Sequence, residues 1–174
     1  FHRKVLGYLG YRSLDSPPIK PISKTSRAIK FLLPVYILIQ VFLPLRHWLY
    51  PGSVLWTEEG YRFSWRVMLV EKSGHATFTV ADSATNRKSE IINGDHLTIF
   101  QEKQMAIQPD FILQFAHFLG QEYIQKHGFK NPVVQVQSFV SLNGRTSKPL
   151  INPTTNLIEQ RASLKSKSWI LPTN

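Results

Sequence analysis

A long apolar run near the N-terminal end constrains this chain more than any other feature. Residues 28–45 read AIKFLLPVYILIQVFLPL, in which Lys30 and Gln40 are the strongly polar positions. A bilayer-spanning helix needs about 20 predominantly apolar residues and at least about 17, and residues 48–50 extend the run. The sequence therefore predicts a transmembrane helix over residues 26–50. The alternative is a buried helix of a soluble domain.

The residues in and beside the run favour the membrane. Trp48 and Tyr50 follow it directly, as aromatic residues do where a helix leaves the hydrocarbon for the headgroup region. Pro34 and Pro44 interrupt it, and proline is better tolerated in transmembrane helices than in soluble ones. We therefore expect an integral membrane protein with the lipid bilayer as a partner.

The positive charge is unevenly distributed. The formal net charge is +10, and the first 30 residues hold seven basic residues against one acidic residue. A nucleic-acid-binding surface would place basic and aromatic residues together on one folded face, whereas this charge precedes an apolar run. We expect no nucleic-acid partner. By the positive-inside rule, residues 1–25 form a basic cytoplasmic loop and residues 51–174 lie on the opposite side of the membrane.

Cysteine is absent and the six histidines are scattered. Without cysteine there is no disulfide framework, no thiolate metal site and no thiol nucleophile. No two histidines form an HxxxH or HxH pair of the kind that binds metals. We expect no metal site.

The pattern after residue 50 changes to strands. Alternate apolar residues predict a strand over Phe63–Leu69 and a second over His75–Ala81, and the turn-rich residues 83–87 indicate a hairpin. Short strands are predicted at Ile91–Ile92 and Leu97–Phe100, separated by a turn at Asn93-Gly94-Asp95.

A helix follows these strands. Pro109 suits a first helical position, and a broad apolar stripe continues to a predicted end before Gly128. Residues 134–142 alternate as a last strand, with a turn at Asn143-Gly144. The tail from Pro149 is long and irregular, and we expect it to wrap the surface.

These elements predict an α+β fold, in which one transmembrane helix is followed by a β-rich exoplasmic domain with antiparallel strands and one main helix. The predicted boundaries are 1–25, 26–50 and 51–174. No stretch forms an accepted catalytic motif such as GxSxG, a Walker loop or GxGxxG after a strand.

The segment that follows the apolar run resembles the vitamin K-dependent γ-glutamyl carboxylases. Its residues 42–52 read FLPLRHWLYPG, followed by Trp56-Thr57 and by GYRFSW at residues 60–65. In that family the last hydrophobic span ends in an FLP…H segment and leads to a Gly, a Trp-Thr pair and a Y-x-[YF]-S-W strand. Later matches in family order are Gln101, Asp110, Ser141-Leu142-Asn143, Asn152-Pro153, Asn156-Leu157-Ile158, Ser168-Trp169 and Pro172.

The resemblance implies a lyase of the carboxylating type on a horseshoe of membrane helices. Such an enzyme converts peptidyl glutamate to γ-carboxyglutamate and couples this to epoxidation of vitamin K hydroquinone, with CO2 and O2 as co-substrates. It implies a glutamate-containing polypeptide as partner, and a C-terminal domain in the lumen of the endoplasmic reticulum or in a bacterial periplasm. A dry site is required, because water would quench the strong base and the carbanion.

The resemblance also implies site residues. Trp56, Tyr61 and Trp65 match aromatic positions near the active site and the vitamin, with an aromatic core or interfacial belt as the alternative. Tyr61 is the catalytic candidate, because its hydroxyl can orient an oxyanion or a carboxylate. His47 matches a family histidine and would otherwise be an interfacial anchor. By strand alternation Ser64 faces a polar cleft or solvent, with solvent favoured.

Other positions are less typical of the family. Animal members carry an arginine and a histidine where this chain has Gln104 and Gln108, so Lys103 is a candidate replacement for the positive charge. Glu58 and Glu59 are interpreted as a solvated loop rather than as catalytic acids.

The family's catalytic lysine and histidine lie on upstream membrane segments outside these residues. The sequence starts without Met, and we expect a fragment that is inactive alone. A non-carboxylating membrane relative that binds or processes an exported partner is the alternative.

Overall fold

The computed structural model describes residues 27–66 and 70–173. The chain divides into two compact units between Ile39 and Gln40. The predicted basic loop over residues 1–25 lies outside the described residues.

Helix α1 spans Arg27–Leu45 and continues as a 3-10 helix over Arg46–Leu49. Among the described residues, Arg27–Leu49 is the helix long and apolar enough to cross a membrane. Residues 27–43 of α1 are all exposed, whereas Pro44 is buried and Leu45 is half-buried. An apolar helix without a buried face is typical of a segment surrounded by lipid rather than of a soluble core helix.

The predicted strand at Phe63–Leu69 is wrong over the residues that can be described. A short helix α2, Val54–Thr57, is followed by turns and bends up to Arg66, and residues 67–69 lie outside the described part. Phe63 has φ of +65°, which is incompatible with an extended strand. Apolar alternation over a few residues does not reveal such a turn, because it contains no information on backbone φ.

An antiparallel four-stranded sheet forms the centre of the second unit. It comprises β1 Lys72–Asp82, β2 Lys88–Glu90, β3 Pro132–Leu142 and β4 Lys148–Pro149 in the order β2-β1-β3-β4. The predicted hairpin and the predicted strands at 75–81 and 134–142 are confirmed, and β1 pairs with β3 over its full length. The predicted α+β class is confirmed.

Two helices cover one face of the sheet. Helix α3 spans Ile99–Ile107, where the sequence predicted a strand at Leu97–Phe100. Thr98 and Gln101 form a reciprocal capping box, and this Thr-x-x-Gln spacing is the start signal that the strand interpretation overlooked. The short strand predicted at Ile91–Ile92 is displaced, because β2 ends at Glu90.

Helix α4 spans Pro109–His127, as predicted, and ends at Gly128 with φ of +66°. Phe78 and Val80 of β1 pack in the same core as Val136 of β3 and Ile112 and Leu119 of α4.

The tail after β4 is irregular, as predicted, but it is more than a surface wrapping. Ile151 and Ile170 form an isolated antiparallel bridge, and a 3-10 helix spans Leu157–Glu159. The buried apolar side chains of the tail belong to the main core; they are Leu150, Ile151, Leu157, Trp169 and Ile170. The tail therefore contributes to the stability of the domain through apolar burial.

Candidate functional site

A pocket of about 490 Å³ opens beside the turn that follows α2, and we call it the Tyr61 pocket. Its lining residues come from the turn, from the start of β1 and from the end of α3. They are Leu55, Glu58, Tyr61, Arg62, Phe63, Ser64, Arg66, Val70, Lys72, Ile107 and Gln108.

Left-handed backbone conformations wind the chain around this pocket. Glu58, Gly60 and Phe63 have φ of +59°, +73° and +65°. The Tyr61 amide donates to the Glu58 carbonyl at 3.1 Å, and the Ser64 amide donates to the Tyr61 carbonyl at 3.0 Å. The Ser64 hydroxyl donates to the same carbonyl at 2.5 Å. These bonds close two successive turns and hold Tyr61 and Ser64 at the pocket wall.

The turn is packed tightly against the 3-10 helix that follows α1. A Cβ placed on Gly60 would lie 2.7 Å from the His47 Cα, so glycine is required there. His47 bonds through Nδ1 to the Pro44 carbonyl at 2.8 Å and through Nε2 to Arg66 Nη2 at 3.3 Å. Because a carbonyl accepts and a guanidinium donates, His47 carries its proton on Nδ1. The histidine thus joins the end of the apolar helix to the turn.

Lys72 is the most unusual ionisable group at the pocket. Its side chain is 2% exposed, and its ammonium lies 2.7 Å from Glu58 Oε1. It also donates to the Trp56 carbonyl at 2.8 Å and to the Ile107 carbonyl at 3.4 Å. Burial lowers the pKa of Lys72, and the neighbouring Glu58 carboxylate partly opposes this change. The ammonium therefore has three oxygen partners for its three N–H donors, and Glu58 balances its charge.

The tail of the domain is fastened to the same segment. Buried Glu59 accepts from the Lys167 amide at 2.7 Å, and the Trp56 indole donates to the Leu171 carbonyl at 2.7 Å. These contacts join residues more than a hundred positions apart in the chain. They replace the solvated loop that the sequence predicted for Glu58 and Glu59, because buried carboxylates need hydrogen-bond partners.

A second cleft, of about 720 Å³, lies on the other side of Glu58 and Arg62, and we call it the Arg161 cleft. Asp110 lies 3.6 Å from Arg62 Nη2 and 3.7 Å from Lys167 Nζ. Arg46 Nε is buried and has no hydrogen-bond partner among the described atoms.

The predicted site residues are only partly brought together. Tyr61 and the half-buried Ser64 line the Tyr61 pocket, and His47 contacts Arg66 of the pocket wall. Trp56 is buried in the core, so it supports the site through its carbonyl rather than by its ring surface. Trp65 is exposed beside the pocket.

The candidate residues on α3 and directly after it do not all line the Tyr61 pocket. Lys103 is exposed and lines neither the Tyr61 pocket nor the Arg161 cleft. Gln108 lines the Tyr61 pocket and donates to Gln104 Oε1 at 3.1 Å. Sequence reasoning missed Lys72, because no local pattern distinguishes a lysine at a strand start that is buried by contacts with distant segments.

The fold and the site define an α+β domain that follows a helix able to cross a membrane and has a pocket with several charged and polar lining residues. The family model described as vitamin K-dependent gamma-carboxylase, lumenal domain, matches residues 25–174. The chain therefore belongs to the vitamin K-dependent gamma-carboxylase lumenal-domain family. No solved structure matches the chain significantly.

Proposed function

We propose that this chain is the membrane-anchored lumenal or periplasmic part of a vitamin K-dependent γ-carboxylase, which converts peptidyl glutamate to γ-carboxyglutamate. The observation that carries the proposal is the family match over residues 25–174. The apolar helix Arg27–Leu49 supports the membrane anchor, and the Tyr61 pocket beyond it supports a site next to the bilayer.

The Tyr61 pocket suits a glutamyl side chain by its polar groups. Tyr61 and Arg66 line the pocket, and a hydroxyl and a guanidinium are both donors that bind a carboxylate, the guanidinium through short, charge-assisted hydrogen bonds. Lys72 is buried and paired with Glu58, so this pair holds the pocket wall in place. We assign the binding and orientation of the glutamyl carboxylate to Tyr61 and Arg66.

In the proposed reaction, a Cγ–H bond of glutamate breaks and a new bond forms between that carbon and CO2. Vitamin K hydroquinone, when bound as substrate with O2, supplies the strong base and is consumed as the epoxide. The residues of this chain hold the glutamyl carboxylate, and they exclude water from the carbon that is deprotonated. Tyr61 is proposed to donate a hydrogen bond to the carboxylate as charge develops next to it.

Trp65 is proposed to contact the vitamin, because an exposed indole beside the pocket offers an apolar face to a lipid-soluble quinone. His47 is proposed to act by positioning Arg66 rather than by touching substrate. Lys103 stays a prediction from the family resemblance.

The test uses the membrane protein that carries this chain, in nanodiscs, with reduced vitamin K, labelled bicarbonate and a Glu-containing peptide. We expect label in the peptide together with quinone epoxide, and neither product with a peptide in which Gln replaces Glu. Absence of both products with the Glu peptide would overturn the carboxylase assignment. Peptide binding without either product would favour the non-carboxylating relative.

A further inference from the structure

Four large apolar side chains are exposed close to the end of the apolar helix. Trp48, Leu49, Phe63 and Trp65 are 72%, 83%, 71% and 72% exposed. Single exposed apolar residues are ordinary on a protein surface, but a group of large ones marks an interaction surface. We call these four residues the aromatic apron.

The apron is held together by contacts between its two segments. Arg46 lies over the Phe63 ring at 5.9 Å from its centroid, and Arg66 contacts His47 at 3.3 Å. Gly60 lies against the His47 backbone with no room for a Cβ. Trp65 is flanked by Phe63 and Arg66, which both contact the segment around residues 46–47. These contacts hold residues 46–49 and residues 60–66 next to each other at the end of the apolar helix.

The backbone conformation of Phe63 indicates that this residue occupies a functional position. A bulky residue with φ of +65° is strained, and such strain is found mainly at functional positions. Burial of the ring does not compensate this strain, since the ring is exposed. Insertion of the ring into an apolar environment would offset the backbone strain and would explain why the ring is not covered by protein.

The composition of the apron fits the interface of a lipid bilayer. Tryptophan prefers the headgroup level, leucine and phenylalanine prefer the acyl boundary, and arginine can extend its charge towards the headgroups. Arg46 lies over the Phe63 ring, and Arg66 follows Trp65 directly in the sequence. Two of the four apron residues, Trp48 and Leu49, are the last residues of the segment Arg27–Leu49, which is long and apolar enough to cross a membrane.

We infer that the aromatic apron is immersed in the bilayer interface, so that the turn over residues 60–66 lies against lipid as well as against protein. This inference rests on the membrane anchor of the proposed function. It places the mouth of the Tyr61 pocket, to which Phe63 and Arg66 also belong, at the level from which a lipid-soluble substrate would enter.

The chain offers its own reporters for a test. Trp56 and Trp169 are buried, whereas Trp48 and Trp65 are exposed. The 174-residue chain is reconstituted in nanodiscs of phosphatidylcholine with brominated acyl chains, which quench only tryptophan in contact with lipid. In the Trp48→Phe variant we expect strong quenching to persist, and in the Trp48→Phe/Trp65→Phe double variant we expect it to be lost. Unchanged circular dichroism would show that both variants fold.

A matched control places a tryptophan elsewhere on the domain. Ile124 is exposed on α4. It lies 14 residues, or about 21 Å along the helix, from Asp110. Asp110 is the residue of α4 that pairs with Arg62 of the turn. Ile124→Trp in the double variant should be quenched by aqueous acrylamide and not by brominated lipid.

Two results would overturn the inference. Quenching of Trp65 by acrylamide alone would show that the apron faces water, and quenching by neither agent would show that protein covers it. Failure of Trp48 to respond to brominated lipid in the Trp65→Phe variant would instead contradict the membrane anchor. Because none of these readings depends on turnover, the inference and the carboxylase assignment fail separately.

Discussion

The ammonium of Lys72 lies 2.7 Å from Glu58 Oε1. Glu58 itself has a left-handed backbone with φ of +59°, so a residue in a strained turn supplies the counter-ion of a buried lysine at the start of the central strand. This pair joins the turn of the Tyr61 pocket to the sheet. The same ion pair therefore stabilises the domain and holds the turn of the Tyr61 pocket in position.

Lys72→Met should destabilise the domain by about 1–3 kcal/mol, because it leaves the Glu58 carboxylate and two carbonyl groups without their donor. Chemical denaturation of the chain in detergent measures this change. Glu58→Gln in the Lys72→Met background should recover part of the loss. If the double variant is no more stable than Lys72→Met, the Lys72 and Glu58 side chains do not stabilise the domain as a pair.

The lowered pKa of Lys72 predicts a specific alkaline behaviour. Between its folded-state pKa and its ordinary value of 10.5, the unfolded chain binds more protons than the folded chain at this site. The stability contributed by this group therefore rises as the pH increases through that window. Relative to Lys72→Met, the wild-type chain should gain stability from neutral pH towards 10.5, and a constant difference would contradict the shift.

Gly60→Ala should be more destabilising than a change of backbone strain alone. Gly60 and Gly128 both have positive φ, but a Cβ on Gly60 would collide with the His47 backbone, whereas one on Gly128 meets nothing within 4 Å. Gly128→Ala should cost about 1 kcal/mol from conformation, and Gly60→Ala should exceed it. Thermal unfolding of the two variants measures the difference, and equal losses would contradict the close approach.

Asp82 predicts an acid-sensitive step in stability. Its carboxylate accepts from the Thr85 hydroxyl at 2.7 Å and from the Ala84 and Asn131 amides. These bonds, the Thr85 bond foremost, lower the pKa of Asp82 below its ordinary value of 3.8. Its contribution is present above pH 3.8 and is lost as the pH falls through the folded-state pKa.

The test of Asp82 compares melting temperatures between neutral and acidic pH. Asp82→Asn should be less stable than wild type at neutral pH, and the difference should shrink on acidification. Asp95→Asn, at the exposed end of the 3-10 helix Asn93–Asp95, is the matched control and should follow the wild-type profile. A difference between Asp82→Asn and wild type that is independent of pH would contradict this assignment.

Tyr61→Phe tests the proposed catalytic role. Removing a donor that stabilises developing charge costs about 100-fold in kcat or more, so turnover by the protein that carries this chain should fall by that order. Tyr36→Phe, on the exposed surface of α1, is the matched control. Unchanged turnover in Tyr61→Phe, with unchanged KM, would reduce Tyr61 to a structural residue.

Much of the architecture follows from local patterns. The apolar run at residues 28–45 predicts α1, alternation predicts β1 and β3, and Pro109 with Gly128 delimits α4. Each depends on side-chain periodicity within one element, which is a short-range property. The family resemblance at residues 42–65 likewise depends on adjacent residues.

The errors arose where a local pattern competed with a backbone or capping constraint. Alternation at Phe63 and Trp65 predicted a strand, but Gly60 packs on His47 and the chain turns there. Apolar residues at 97–100 predicted another strand, but the Thr98 capping box starts α3. The capping box is a local signal outside the periodicity, whereas the contact between Gly60 and His47 joins two separate segments.

The sequence by itself determined the helix able to cross a membrane, the antiparallel α+β class and the family. Only the tertiary structure decided the site, because its contacts join distant segments: Lys72 to Glu58 and Ile107, Glu59 to Lys167, and Trp56 to Leu171. Burial of an ionisable group depends on which segments cover it, and no residue's own neighbours in the chain contain that information.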